Sequence, residues 1–462
     1  MISLKNIYRN NLFDILALIS TLLTFPLFFY KLGQTSLVSW DEAWYAEVAR
    51  NILKTGNLYN LHWNKQPFGD HPPVGFWIMA LTYKIFGINE FWTRFPSAIS
   101  GIVSIFLLYL LGKKLFNPLV GLCSSIALSS AIWFIYRSRL GDLDIFLTMF
   151  FILTILLAIK ASENKKYILP FTASLSLLFL TKAMVPLAIL PSVFLIFLKN
   201  KIYRWRDLIL PVVIFFTVIV NWFAYRIFQD HNFIHNYLEI GLRGISLKTS
   251  YFANLSLAKD YLHSGIGKWF WLGLGSLILS VFLTQKRFFI FIIFFVSFMI
   301  PIIFSPKIQI WHLIPIFPFL ILVYFGFTYA VLEKYLSNWK YQIYTIVILF
   351  SSMLYFNQIK MIWYQLIDIP AFVSDEAILS KAAEKYPQNL MIDGDFIPAA
   401  IFYSGKEKVD QIQIAWLVSI LNSDASFLMI TRKMSLNNPN ISKNDYEIIK
   451  EDRDKVLILH KK

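Results

Sequence analysis

The sequence predicts a polytopic α-helical membrane protein carrying a small C-terminal α/β domain, and three observations lead there. The chain has 462 residues, 57% of them hydrophobic and only 15% charged, where soluble domains carry about 25% charge. Mean hydropathy is +0.57. Apolar runs of about 20 residues, enough to cross a hydrocarbon core, recur through most of the chain and give way to polar sequence near the C-terminus. An ordinary soluble enzyme is excluded.

Eleven spans are expected, at 12–31, 96–112, 118–136, 143–160, 167–181, 183–199, 208–226, 266–284, 288–305, 311–332 and 341–357. The fifth and sixth are short and divided only by Thr181 and Lys182, and the pair could instead be one re-entrant unit. Lys5 and Arg9 precede the first run, which lacks a small-residue cleavage site and is read as a retained helix. With the N-terminus inside, the connectors at 113–114, 160–166, 199–206, 285–287 and 333–340 are cytoplasmic, and each holds at least two basic residues. That bias accounts for much of the net charge of +15 without nucleic acid.

Two domains are expected: a membrane domain over 1–357, with outward loops at 32–95 and 227–265, and an outward α/β domain over 358–462. In the latter, 375–386 and 415–421 read as helical and 389–392, 427–431 and 456–459 as strands. All seven histidines, His62, His71, His231, His235, His263, His312 and His460, fall on the outward side. Cys123 is the single cysteine and sits in an apolar stretch, so no intrachain disulfide or thiolate metal cluster forms. No Walker or GxGxxG loop suggests nucleotide-driven work.

Chemistry therefore belongs to the outward segments. In Ser39-Trp40-Asp41-Glu42-Ala43-Trp44-Tyr45-Ala46-Glu47, adjacent carboxylates follow the first span. Asp41 could take a proton there, or cap an interfacial helix over 42–53 with Trp40, Trp44 and Tyr45 as membrane-belt aromatics. Asp70 and His71 stand before two prolines that stiffen the loop, as a polar site or as an ordinary turn. In Arg137-Ser138-Arg139-Leu140-Gly141-Asp142-Leu143-Asp144, four charges meet a membrane boundary, either as a functional site or as a self-neutralising cluster. Asp142 is the expected N-cap and Asp144 a first-turn residue, facing different ways. Lys182, Arg243 and Lys307 are outward cations suited to an anionic group at the interface, although each could instead snorkel.

Taken in order, WDEAWYAEVARNIL, DHPPVGFW, R-x-R-x-x-D-x-D-x-x-L-T-x-F, LTKAMVPLAILP and SPKIQIWHLIPIFPFL resemble the GT-C class of polyprenyl-phosphate-sugar-dependent glycosyltransferases, which includes protein O-mannosyltransferases and the lipid A aminoarabinose transferase. The resemblance covers residues 35 to 325. It implies transfer of a sugar from a polyprenyl-phosphate donor to a lipid, glycan or protein acceptor, while the absence of a targeting peptide and the compact C-terminal domain point to a bacterial inner membrane with the site on the periplasmic side. Asp41 matches the family's presumed base and Glu42 completes its acidic pair. Asp144 best matches the second acidic position, with Asp142 its rival, and Arg137 is a substrate-binding candidate. Asp70 matches an acidic residue before Pro-Pro, while His71 replaces the family's lysine. Lys182 matches the lysine of a Thr-Lys-Gly segment, although Ala183 replaces the glycine. Arg243 resembles a donor-phosphate arginine, Lys307 adds a cation, and His312 replaces an aromatic hydroxyl before Leu-Pro. A divalent metal stays open, with Asp70, His71 and His235 as its candidates. The competing class is a lipid or solute transporter, against which count the placement of acids at the outer edge and the lack of an evident repeat.

Overall fold

The computed structural model describes residues 4–198, 202–241, 250–305, 308–393 and 397–461. Arg243 and Lys307 lie outside the described residues. A helix occupies each of the eleven expected stretches. Seven helices among the described residues are long and apolar enough to cross a membrane, or up to nine if each of two bent pairs is one span. The two remaining stretches, at 167–181 and 183–199, hold only Ile168–Phe179 and Val185–Phe197. A helix of 12 residues reaches about 18 Å, short of the hydrocarbon thickness. The segments 32–95 and 227–265, expected as loops, contain helices Asp41–Thr55, close to the helix considered over 42–53, Val74–Phe86 and Tyr251–Ile266.

The chain packs into two compact units. The first comprises Met1–Tyr30, Gly69–Gly75 and Ser97–Ile369. Aromatic side chains fill its core: Phe294 meets Phe151 edge-on at 5.2 Å between centroids and Phe319 at 4.8 Å. Small residues let backbones approach, as expected between membrane helices. A Cβ on Gly273 would sit 2.7 Å from the Leu320 carbonyl, and one on Gly121 would collide with the Tyr109 carbonyl.

Both bent pairs belong to this unit. Pro118–Leu128 and Ile132–Ser138 meet at 68°, and Tyr251–Ile266 and Trp269–Leu283 at 120°. A break inside the hydrocarbon exposes backbone groups that lipid cannot satisfy. One buried side chain serves both breaks. Gln358 Nε2 donates to the Ser130 carbonyl at 2.7 Å and to the Ile266 carbonyl at 3.2 Å. Its Oε1 accepts from the Lys268 amide at 2.9 Å. Trp269 Nε1 adds a bond to Ser130 Oγ at 2.8 Å. Gly267, between the second pair of helices, has φ +73 and no room for a Cβ beside Gln358.

The second unit comprises Lys31–Phe68, Phe76–Pro96 and Pro370–Lys462. It holds a short hairpin, β1 (His62–Trp63) and β2 (Gln66–Pro67), and a five-stranded sheet of β3 (Leu390–Asp393), β4 (Val409–Ile412), β5 (Phe427–Arg432), β6 (Tyr446–Asp452) and β7 (Lys455–His460). The sheet order is β4-β3-β5-β7-β6. β3 runs parallel to β4 and β5, while β7 is antiparallel to β5 and β6. Alternation divides the side chains between two cores: Leu390, Ile392, Leu428, Ile430 and Leu457 face Leu379, Ala383 and Ile401, and Phe427, Met429, Val456 and Ile458 face Leu417 and Leu421. His460 belongs to this packing, stacked on Phe427 at 4.7 Å with its ring nitrogens 2.7 and 2.9 Å from the Ala425 and Leu421 carbonyls.

Within this unit the N-terminal loop is bound to the C-terminal sheet. Asn64 Nδ2 donates to the Val409 carbonyl at 3.1 Å and its Oδ1 accepts from the Val409 amide at 2.9 Å, so one side chain mimics a neighbouring strand on the edge of β4. Arg50 Nη1 donates to the Phe402 carbonyl at 2.8 Å, and Tyr403 Oη accepts from the Leu37 amide at 2.8 Å.

Replacing Gln358 with leucine keeps the volume but leaves three buried backbone groups without this partner. At about 1–3 kcal/mol per stranded group, less what relaxation recovers, Gln358→Leu is expected to lose about 2–4 kcal/mol. Thermal unfolding in detergent should show a clearly lower midpoint than Gly275→Ala, a change into open space.

Candidate active site

The acidic motif after the first span lies in the second unit. Helix Asp41–Thr55 begins at Asp41 itself, with Trp40 as an N-cap that makes no side-chain cap bond, and it ends at Gly56 in the left-handed conformation. The expected role of Asp41 as the cap is therefore corrected. The reason is local: the Ala43 amide of the first turn donates to the Val38 carbonyl at 3.1 Å, and the Glu42 carboxylate folds back to accept from the Val38 amide at 2.8 Å, which holds that loop in place.

Glu42 also meets Arg94, and each is only 2% exposed. Arg94 Nε donates to Glu42 Oε1 at 2.7 Å and Nη2 to Oε2 at 2.9 Å, a bidentate pair. The rest of the guanidinium is wrapped by the loop, with Nη1 donating to the Leu32 carbonyl at 2.8 Å and to the Thr35 carbonyl and hydroxyl at 3.0 Å, and Nη2 to the Ser36 carbonyl at 3.0 Å. Arg94 thus sets the path of residues 32–42 and the start of the helix. Asp41, one position earlier, is half-buried. Further along, Glu47 pairs with Arg50. Burial pushes the Glu47 carboxyl above its ordinary range, against the pull of Arg50 and Lys54.

The second constellation lies in the first unit. Helix Asp144–Glu163 starts at Asp144, and its N-cap is Leu143 rather than Asp142. Asp142 sits in a turn, its amide donating to the Leu140 carbonyl at 2.9 Å, and its Oδ1 accepts from the Leu143 amide at 2.7 Å. Because Asp142 is not helical, the two carboxylates do not diverge as expected. Both reach Arg137: its Nε bonds Asp142 Oδ2, and its Nη2 lies 3.6 Å from Asp144 Oδ2. Lys182 Nζ bonds Asp144 Oδ1 at 2.5 Å. Two anions and two cations close a neutral network in which Asp142 and Asp144 are each 1% exposed. Burial raises the Asp142 carboxyl above the usual carboxylate range; Arg137 and Lys182 oppose this, and the neighbouring Asp144 adds to it.

The loop bearing Asp70 and His71 docks on the same region. The Val74 amide donates to the Leu180 carbonyl at 3.0 Å, and Gly75 lies against Leu143, where a Cβ would collide. The loop's end is therefore held beside the segments that carry Lys182 and Asp144. Its beginning, Gly69, faces the ring of Phe233 and the guanidinium of Arg226, a cation only 1% exposed. Trp311, next to His312, lies over Arg137 with 4.7 Å from Cζ to the ring centroid. Sequence reasoning passed over Arg94, Arg226 and Trp311; a charge at the edge of an apolar span was the available signal for the two arginines.

The suggested metal trio is corrected. Among the described residues, no group of three His, Cys, Asp or Glu side chains could hold a metal. Phe233 and Tyr237 are buried on one face of helix Phe233–Gly241, while His235, two residues from each, is exposed.

Residues 70–229 match the family described as dolichyl-phosphate-mannose-protein mannosyltransferase. An uncharacterized protein of Aquifex aeolicus is 34% identical over 159 residues, 34% of this chain and 32% of that protein. An undecaprenyl phosphate-alpha-4-amino-4-deoxy-L-arabinose arabinosyl transferase of Pseudomonas fluorescens is 34% identical over 86 residues, 19% of this chain and 16% of that one. The chain thus spans about a third or less of the length of these curated relatives. In fold it is similar to ArnT from Cupriavidus metallidurans, crystallised bound to undecaprenyl phosphate, over 97% of both chains with a TM-score of 0.73 and 14% identity. The Archaeoglobus fulgidus oligosaccharyltransferase is similar over 86% of this chain and 62% of its own, with a TM-score of 0.56 and 13% identity. The resemblance to GT-C glycosyltransferases read from the motifs thus holds in sequence and in fold, and the apolar spans make the chain an integral membrane protein.

Removing Arg94 alone strands the Glu42 carboxylate in an interior site, a change that costs about 3–5 kcal/mol. Arg94→Met is therefore expected to lower the thermal midpoint severely. The double variant Arg94→Met/Glu42→Leu should recover part of the loss, as read by thermal unfolding in detergent.

Proposed function

We propose that the protein is a glycosyltransferase that moves a sugar from a polyprenyl-phosphate donor to a lipid, glycan or protein acceptor at the outer face of a bacterial inner membrane, with its N-terminus in the cytoplasm. One observation carries the reading: the stretch similar in sequence to the mannosyltransferase family, 70–229, is the one that holds the buried Arg137, Asp142, Asp144 and Lys182 network.

The chemistry is an inverting displacement. An acceptor oxygen forms a bond to the anomeric carbon as the bond from that carbon to the phosphate oxygen breaks, and the electron pair departs with the polyprenyl phosphate. The acceptor's proton goes to Asp41. Glu42 is committed to Arg94, which leaves the base role to its neighbour. No acid need protonate the leaving group, because a phosphate departs as a stable anion, unlike the leaving oxygen in glycoside hydrolysis. Lys182 and Arg137 are each paired with a carboxylate, so their role is to hold Asp142 and Asp144. Charge on the departing phosphate falls to His71, Arg243 and Lys307, and removing one such preorganised contact is worth about 3 kcal/mol, roughly a hundredfold in rate.

Purified full-length protein should release free polyprenyl phosphate from a member of a panel of polyprenyl-phosphate sugars when a membrane-lipid extract supplies the acceptor. Release should depend on that extract. Failure to consume any donor with folded protein, across lipid, glycan and peptide acceptors, overturns the reading in favour of transport or lipid binding.

A further inference from the structure

We propose that Trp311 is a positioning residue, an aromatic wall that fixes the plane of the Arg137 guanidinium so that one side chain can hold Asp142 and Asp144 together. Arg137 makes two different contacts at once, Nε to Asp142 and Nη2 to Asp144 at 3.6 Å. An arginine has a long flexible stem, and holding two carboxylates at separate places on its fork requires the plane of the fork to be set. Carboxylates approach a guanidinium through its edge, whereas an aromatic ring covers its face. The two kinds of contact do not compete. Trp311 takes the face, its ring centroid 4.7 Å from Arg137 Cζ, and a cation over tryptophan gains most when withdrawn from water. Arg137 is mostly buried.

The wall is itself held. Trp133 precedes Arg137 by four residues on helix Ile132–Ser138 and so presents to the same face. It stacks on Trp311 at 6.2 Å between centroids and 26° between planes, and Tyr136 meets its edge at 5.1 Å. One indole thus spans a full helical turn and joins the segment Ile310–Ile316 to the helix that carries Arg137. The ring of His312 lies 5.9 Å from that of Trp311. The stack therefore couples the Arg137 fork to the segment bearing His312.

The geometric part of this inference stands alone, while its effect on turnover rests on the glycosyltransferase reading. The test uses full-length Trp311→Leu and Trp311→Phe, with Trp311→Met replacing the leucine variant should that not purify folded. Amide hydrogen exchange is followed over 137–144, and kcat and KM are measured for a polyprenyl-phosphate sugar that the wild type consumes. Loss of the ring should raise exchange over 137–144 about thirtyfold, the scale of a desolvated cation–π contact. It should lower kcat by about the same factor and change KM by less than about twofold, since Arg137 is already neutralised by its aspartates. Phenylalanine, which keeps an aromatic face, should restore most of both. Wild-type exchange in the leucine variant, or equal loss in leucine and phenylalanine, overturns the proposal. If the wild type consumes no donor, the functional reading fails while the exchange comparison still decides the role of Trp311.

Discussion

Three buried ion pairs, Arg94 with Glu42, Arg137 with Asp142 and Lys182 with Asp144, decide where the polar parts of this largely apolar chain can go. A charge taken out of water costs several kcal/mol unless its opposite meets it in good geometry, so each pair dictates the path of the segments that supply it. In two of the pairs the residues come from distant positions, while Arg137 and Asp142 are only five residues apart. Arg94 is 52 residues from Glu42, and Lys182 is 38 from Asp144. Each of the two distant pairs therefore acts as a tertiary clamp near a helix start, Asp41 in one case and Asp144 in the other. Adjacent carboxylates then acquire different duties. Successive residues on a helix point about 100° apart, so Glu42 is buried against Arg94 while Asp41 stays half-buried.

The membrane-spanning part obeys the matching rule for uncharged groups. Helices that break within an apolar environment must find partners for the amides and carbonyls they release, and Gln358 supplies them at two breaks with a single amide. The bends it permits are not defects in the spans. They turn Ile132–Ser138, which carries Trp133 and Arg137, away from the direction of the preceding helix. Backbone irregularity and buried charge thus occur together in the unit that holds the network.

Much of this was legible in the sequence, and the omissions have physical causes. Apolar runs reveal spans because lipid demands continuous hydrophobicity, and a helix occupies every expected stretch. The fifth and sixth stretches were already the short ones in the sequence, but a short helix and a full span share the same composition, so Ile168–Phe179 was still counted as a crossing. In the sheet, β3, β5 and β7 were readable from short continuous apolar runs. The edge strands β4 and β6 were not, since Val409-Asp410-Gln411-Ile412 and the largely exposed Tyr446–Asp452 acquire strand character from pairing. Asp142 and Asp144 were rightly marked as boundary charges, yet their convergence on Arg137 depended on where the helix begins, which is the least readable feature of a sequence. Trp311 was passed over, because a cation–π partner 174 positions away leaves no local signature.

The account assigns unlike roles to two neighbouring acids, and one comparison tests that directly: polyprenyl-phosphate release by Asp41→Asn and by Glu42→Gln, each normalised to folded protein. The account predicts a loss of at least about a hundredfold for Asp41→Asn, the scale of general base catalysis, with Glu42→Gln retaining turnover per folded molecule while losing thermal stability. Undiminished turnover by Asp41→Asn, or an equal loss of turnover in a fully stable Glu42→Gln, would contradict it.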